Sequence, residues 1–247
     1  MDYCRRPQHA VILAGGRKDS ADFRNPGIPQ PLIPFAGKPF LAYQLEHLAA
    51  LGITHVTLTT HYRGGQIAEY LAKAPTFGLA VELQHESKRL GCGGSLCHFA
   101  RKAPASASPF LFVYGNRLVA CDRYELAVAD GEARLLAAEV QDTAGYPTLS
   151  SEAGELNGLS PARPVHQAGT IFSGAAVIQP SWLACYPPGT EPVSFELDIL
   201  SHWLQRRCEI RVSARPRALV DLAQSASFDH AESDLAAFQK AAEPVPA

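Results

Sequence analysis

Three short glycine segments hold most of the chemistry that this sequence can offer. Gly15-Gly16 closes the apolar run His9–Ala14, Gly91-Cys92-Gly93-Gly94 precedes a helix-forming stretch, and Gly115-Asn116-Arg117 closes the apolar run Phe110–Tyr114. A residue without a Cβ lets a ligand approach peptide N–H groups closely, and N–H groups at a helix start favour an anion or a base edge. The same glycines also suit a tight strand-to-loop turn, at 15 and 16, and close helix–strand packing, at 91, 93 and 94. Arg17, Lys18 and Arg117 follow two of these segments directly. They are cations for a phosphate, or else a solvated loop and a structural salt bridge. His61 and His85 lie just beyond strand ends and read as surface or hydrogen-bonded side chains. No G-x-S-x-G elbow supports a Ser/His/Asp hydrolase.

These segments need a scaffold, and the first half of the chain alternates strand and helix. The spacing predicts strands at 9–14, 53–60, 79–84 and 110–114. Helices are expected over 38–51, where Phe40, Leu41, Leu45 and Leu48 recur at helical spacing, over 65–74, and from Gly91 to about Arg101. Such alternation is the pattern of a doubly wound sheet, whose ligand sits at the C-terminal strand ends. The second half is less regular. Strands are expected at 134–141, 170–178 and 218–222, and helices at 194–206 and 229–241. The absence of a repeat or linker predicts one domain over 1–247, with 1–8 and 242–247 as flexible tails.

Composition narrows the class of function. The 247 residues suffice for a full core, and 47% hydrophobic with 19% charged residues is ordinary for a globular protein. A formal net charge of −2 gives no reason to expect nucleic acid or an acidic membrane surface. No apolar run approaches the roughly 18 residues of a membrane span. The polar start with Arg5 and Arg6 is not expected to be a signal peptide. Six cysteines without a C-x-x-C pair suit reduced thiols and a cytoplasmic location.

Five segments, in order, resemble one family. They are Ala10–Gly16 followed by Pro31-Leu32 and Ala36-Gly37-Lys38-Pro39; Leu90–Leu96; Phe112–Asn116; Ser194–Ile199; and Val220–Leu222. Together they look like the sugar-1-phosphate nucleotidyltransferases, in particular the heptose- and mannose-1-phosphate guanylyltransferase branch. The resemblance implies a Rossmann-like, GT-A-like α/β fold: a mostly parallel mixed sheet with helices on both faces. It implies a nucleotide site at Leu13, Ala14, Gly15, Gly16, Gln30, Gly91, Gly93, Gly94 and Gly115, sugar contacts at Glu196, Asp198 and Gly174, and a metal site at Asp221 and Asn116. It also implies a nucleotide, nucleotide-sugar or sugar-phosphate ligand, Mg²⁺ if the chain is active, and a homo-oligomer or a catalytic partner subunit.

Several charged positions of the resembled family are changed. The family attacks the α-phosphate of a nucleoside triphosphate with a sugar-1-phosphate oxygen, and two anions meet only where cations neutralise them. Where the family has a glycine and an arginine in its first loop, this chain has Lys18 and Ser20, with Asp19 between them. Gln30 replaces a lysine, Leu197 another lysine, and Asn116 a metal-binding aspartate, a poor Mg²⁺ ligand. Asp221 is retained, and Asp122 matches a further acidic position. Losing one positioned donor costs roughly 2.7–4 kcal/mol of barrier, so the expectation is a catalytically impaired homologue that binds a ligand or partner. Alternatives are an active transferase with Arg17, Lys18 and Arg117 as replacement catalytic cations, or a glycosyltransferase. Asn116→Asp alone is expected to raise Mg²⁺ affinity.

Overall fold

The computed structural model describes residues 4–16, 27–103, 108–184, 186, 192–213, 218–223 and 231–242. The described strands are β1 (His9–Leu13), β2 (Pro34–Phe35), β3 (Lys38–Pro39), β4 (His55–Thr60), β5 (Ala80–His85), β6 (Phe110–Tyr114), β7 (Arg117–Val119), β8 (Ala133–Val140), β9 (Thr148–Glu152), β10 (Glu155–Ser160), β11 (Gly169–Ile178), β12 (Ile210–Ser213) and β13 (Leu219–Asp221). The described helices are α1 (Phe40–Ala50), α2 (Gly64–Leu71), α3 (Gly91–Ala100), α4 (Pro180–Ala184), α5 (Ser201–Gln205) and α6 (Ala231–Ala242). The architecture is mixed α/β and divides into two compact units.

The first unit comprises Gln8–Arg89, Phe112–Tyr124 and Arg217–Ala247. β1 pairs β4 in parallel, and β4 pairs β5 in parallel. Ala10, Val11 and Ile12 are fully buried, as an uninterrupted apolar run requires of an inner parallel strand. α1 starts two residues later than its sequence pattern suggests, because Lys38-Pro39 pairs antiparallel with Pro34-Phe35. It stops by a Schellman motif: Gly52 has φ +85, its N–H donates to Ala49 O at 3.0 Å, and Ile53 N–H donates to Leu48 O at 3.1 Å. β7 and β13 form a separate antiparallel pair, with Leu219 opposite Val119 and Asp221 opposite Arg117. Phe35, Phe40, Tyr43, Leu118, Val220, Leu222, Leu235 and Phe238 form a core that ties α6 to α1 and this ribbon.

The second unit comprises Met1–Pro7, Leu90–Leu111 and Glu125–Pro216. Here β8–β12 is the parallel pairing, while β11–β8, β10–β9, β10–β12 and β11–β9 are antiparallel. The described pairings within the first unit's β1, β4 and β5 are parallel, whereas those of the second unit are mostly antiparallel. β9 and β10, absent from the sequence expectation, are a hairpin whose turn residues Ala153 and Gly154 both have positive φ (50 and 77). That is the turn whose twist matches two antiparallel strands. The helix expected over 194–206 is a π-helical segment, Phe195–Leu200, that runs into α5.

Candidate functional site

In the first unit the ends of β1 and β6 lie side by side. Gly115 N–H donates to Leu13 O at 3.0 Å, and a Cβ built on Gly115 would stand 2.7 Å from that oxygen. Glycine at 115 is therefore required by packing. Ala14 N–H donates to Thr59 O at 2.9 Å, which fixes the strand end before Gly15-Gly16. A Cβ on Gly15 would meet His61 at 3.4 Å and Glu86 Oε2 at 3.5 Å, whereas one on Gly16 would meet no described atom within 4 Å. Among the described residues nothing stands against Gly16, so a ligand could come close to its backbone.

Glu86 and His61 form the wall beside Gly15. Glu86 is only 4% exposed; its N–H donates to Thr60 O at 2.7 Å, and its carbonyl lies 2.8 Å from His61 Nδ1. Gln30 sits in a single helical turn, Gln30–Leu32, with Nε2 buried and, among the described residues, without a hydrogen-bond partner. A neutral amide buried there cannot do the electrostatic work of a lysine on phosphate.

The turn from β6 to β7 carries the second cluster. Gln44, on α1, is buried, and its Nε2 donates to both Tyr114 O and Arg117 O at 2.8 Å. Leu222 N–H donates to Asn116 O at 2.9 Å, which locks β13 onto the turn. Asn116 Nδ2 then faces Asp221 Oδ1 at 3.4 Å, and Arg117 Nε donates to Asp221 Oδ2 at 3.0 Å. Ala223 N–H also donates to Oδ1, at 2.8 Å. The Arg117 and Asp221 side chains are 10% and 3% exposed.

This donor set does not fit the Mg²⁺ that the sequence resemblance implies. Mg²⁺ demands oxygen ligands at close to octahedral geometry, about 2.0–2.1 Å away. Here both Asp221 oxygens already accept N–H donors, and Asn116 presents nitrogen, not oxygen, to the carboxylate. Among the described residues no group of three or more His, Cys, Asp or Glu side chains is arranged to hold a metal ion.

In the second unit α3 and the 193–198 segment pack backbone to backbone. Gly93 and Gly94 N–H groups converge on Val193 O at 2.8 and 3.3 Å, and Val193 N–H donates to Leu90 O at 2.8 Å. A Cβ on Gly91 would lie 2.4 Å from Val193 O, and one on Gly93 would lie 2.8 Å from Ile199 Cδ1. These glycines accordingly serve close packing, and two of the donors at the helix start are already used. Cys92 Sγ accepts from Phe195 N–H at 3.1 Å and approaches Glu196 Oε2 at 3.8 Å. Ser194 Oγ accepts from Leu197 N–H at 3.2 Å, while Asp198 Oδ2 accepts from Ser194 N–H at 2.7 Å. Asp198 thus belongs to a reciprocal helix cap. Gly174, with φ +88, lies in the β11 stretch where the register with β8 shifts, a β-bulge.

The structure therefore brings Leu13, Ala14, Gly15, Gly16, Gly115, Asn116, Arg117 and Asp221 onto neighbouring strand ends of one unit. It places Gly91, Gly93, Gly94, Gly174, Glu196 and Asp198 in the other unit. Arg17, Lys18, Asp19 and Ser20 lie outside the described residues. Asp122 is a turn former whose Oδ1 accepts from Tyr124 N–H at 2.7 Å. Three residues went unremarked in the sequence. Glu86 and Gln44 are made conspicuous only by burial. Arg63 sits at φ 52 before α2, and its guanidinium lies about 3.1 Å from the Cβ position of Gly27.

Residues 10–156 match the model of the MobA-like NTP transferase domain. A Xenopus laevis protein named mannose-1-phosphate guanyltransferase beta-A is 26% identical over 183 residues, covering 70% of this chain and 50% of its own length. A Drosophila melanogaster protein named mannose-1-phosphate guanylyltransferase catalytic subunit beta is 35% identical over 114 residues, covering 46% of this chain and 30% of its own. The chain thus spans half or less of the length of these curated relatives. The crystal structure of HddC from Yersinia pseudotuberculosis complexed with GMP-PN superposes with a TM-score of 0.77 at 24% identity, covering 92% of this chain and 99% of the other. That likeness is one of fold, the Rossmann-like nucleotidyltransferase fold.

Proposed function

Because the chain belongs to the MobA-like NTP transferase domain family, we propose that it binds a nucleotide or nucleotide-sugar at the ends of β1 and β6 but transfers little nucleotide to a sugar 1-phosphate. Family membership and the sugar-phosphate nucleotidyltransferase relatives supply the ligand class. The observation that carries the reading is Asn116: a neutral amide whose nitrogen faces Asp221, at the strand end where the resembled family has a metal-binding aspartate. A triphosphate and an anionic nucleophile would meet there without the charge that offsets their repulsion. Gln30, an uncharged amide, adds to the same deficit. Such a protein would act as a ligand-binding or partner-binding homologue in nucleotide-sugar metabolism, in the cytoplasm. The relatives named as a catalytic subunit beta agree with a partnership, and so would a homo-oligomer. A single-domain organisation over 1–247 belongs to the same proposal.

Guanine nucleotides are the first probes, since the HddC structure holds GMP-PN. In a thermal-shift series, a ligand at one hundred times its Kd adds about 2.7 kcal/mol of stability. For a chain of this size that raises the melting temperature by roughly 5–11 °C. GDP or GDP-mannose is expected to do so. Pyrophosphate release from GTP over a panel of sugar 1-phosphates is expected to stay far below about 1 s⁻¹, the low end of ordinary turnover. Turnover at or above that rate would overturn the impaired reading in favour of an active transferase with a rearranged phosphate site. Arg17, Lys18 and Arg117 would then be the cations to replace with alanine.

A further inference from the structure

We infer that Arg117 is a built-in replacement for the divalent cation that the fold family implies: its guanidinium neutralises Asp221 from within the chain, and a phosphate-bearing ligand is taken at these strand ends without Mg²⁺. The second half of this statement rests on the nucleotide-binding reading above; the first does not.

The cross-strand register places Asp221 directly opposite Arg117 on the β7–β13 ribbon, so the pair is set by backbone pairing. Their contact, Nε to Oδ2 at 3.0 Å, is nearly sealed from solvent. A buried carboxylate needs a compensating positive charge, from an ion or from a side chain. Here the side chain is in position and is held there. Gln44 fixes the Arg117 backbone through its carbonyl, and the guanidinium carbon lies 5.3 Å from the Tyr114 ring centroid. Asn116 completes the exchange. With an arginine already on Asp221, a carboxylate at 116 is no longer needed to attract an ion, and the amide donates to the same Asp221 instead. A dication brought to this place would face a fixed positive charge at contact distance. For that reason Asn116→Asp alone, which the sequence suggests would raise Mg²⁺ affinity, leaves the obstacle in place. The guanidinium must go as well.

The test uses the full chain and compares wild type, Asn116→Asp, Arg117→Ala and the double variant Asn116→Asp/Arg117→Ala. Each is titrated with Mg²⁺ and Mn²⁺ by calorimetry and melted in MgCl₂ and in EDTA. Wild type and Asn116→Asp are expected to give no specific binding heat and equal melting temperatures in the two buffers. The double variant is expected to bind the ion and to melt at a higher temperature in MgCl₂ than in EDTA. A wild-type protein stabilised by Mg²⁺ as much as the double variant, or a folded double variant that takes no ion, would overturn the inference. Should the double variant fail to fold, Asn116→Asp/Arg117→Gln keeps the side-chain bulk and is read by the same two outcomes. GDP affinity of the wild type, measured in both buffers, reads the second half. Equal Kd values support Mg²⁺-independent binding, and binding about tenfold tighter or more in MgCl₂ overturns it. Absence of GDP binding in both buffers would sink the nucleotide-binding reading itself while leaving the metal titration to decide the role of Arg117.

Discussion

Gly115→Ala and Gly16→Ala, made side by side, separate a glycine needed for packing from one needed for access. At Gly115 the added methyl would lie 2.7 Å from Leu13 O and 3.2 Å from Ala14 Cα, both backbone atoms that cannot swing away. Overpacking of this kind costs about 1–3 kcal/mol. Spreading the strand ends also weakens the Gly115 N–H to Leu13 O hydrogen bond, worth about 0.5–1.5 kcal/mol. Against this stands a gain of about 0.4–1 kcal/mol from the stiffer unfolded chain. The net loss is about 0.5–4 kcal/mol, or roughly 1–16 °C in melting temperature for a protein of this length. At Gly16 the methyl meets no described atom within 4 Å and the backbone is not in the left-handed region. Stability should therefore change by no more than about 0.5 kcal/mol. Its methyl does occupy the space through which a ligand would reach the backbone, so GDP affinity should fall. Thermal melts with and without GDP give both readouts. Gly115→Ala melting within about 1 °C of wild type, or Gly16→Ala losing more stability than Gly115→Ala, would refute the reasoning.

Gly91→Ala should be more damaging than either, because φ +77 is left-handed and the methyl would sit 2.4 Å from Val193 O; denaturant unfolding should show a loss of about 2–5 kcal/mol from strain and overlap together, and a loss below about 1 kcal/mol would count against the packing account. His47 gives a pH test: burial, in part against the Phe238 ring, pushes its pKa down to about 4 in spite of the upward pull of the hydrogen bond with Val119 O. The unfolded chain, titrating near 6.5, binds the proton first, so stability is full above about pH 6.5 and falls by about 3 kcal/mol as the pH drops through about 4. His47→Gln should remove that share of the acid sensitivity, and an unchanged pH slope in urea unfolding would refute the assignment.

The parts of the fold legible in the sequence are those written in one residue class at one period. Phe110–Tyr114 is uniformly apolar, and its sequence bounds are those of β6, while Phe40, Leu41, Leu45 and Leu48 mark the buried face of α1. The β9–β10 hairpin was not legible, because its polar strands are solvated on one side and its turn begins with Ala153, not with the asparagine or aspartate that signals such a turn. β12, Ile210–Ser213, is four residues long and is defined by its partners β8 and β10. In the candidate site, glycine spacing located the strand ends but could not tell access from packing. That distinction depends on what stands opposite: Leu13 O at Gly115, Val193 at Gly91, and no described atom at Gly16. Glu86 and Gln44 illustrate the same limit, since a polar letter in the sequence does not reveal that its side chain is buried against a particular backbone.

Fold and reaction place different demands on the strand ends, which explains how a chain can keep one and change the other. The β1 and β6 ends are held by a backbone hydrogen bond and a missing Cβ, and the ribbon beneath them by Leu118, Val220 and Leu222, none of which carries charge. An exposed lysine or arginine that meets phosphate adds little to stability, so replacing it leaves the scaffold intact. Asp221 is the exception. At 3% side-chain exposure it cannot be left without a counter-charge, because an unpaired buried carboxylate costs several kcal/mol. Removal of the neighbouring carboxylate at 116 would by itself weaken any ion that met this need. A guanidinium one residue further along, on the strand already paired with Asp221, meets the need without an ion. The buried charge thus constrains which changes the site tolerates: Asn116 is compatible with Asp221 because Arg117 is there.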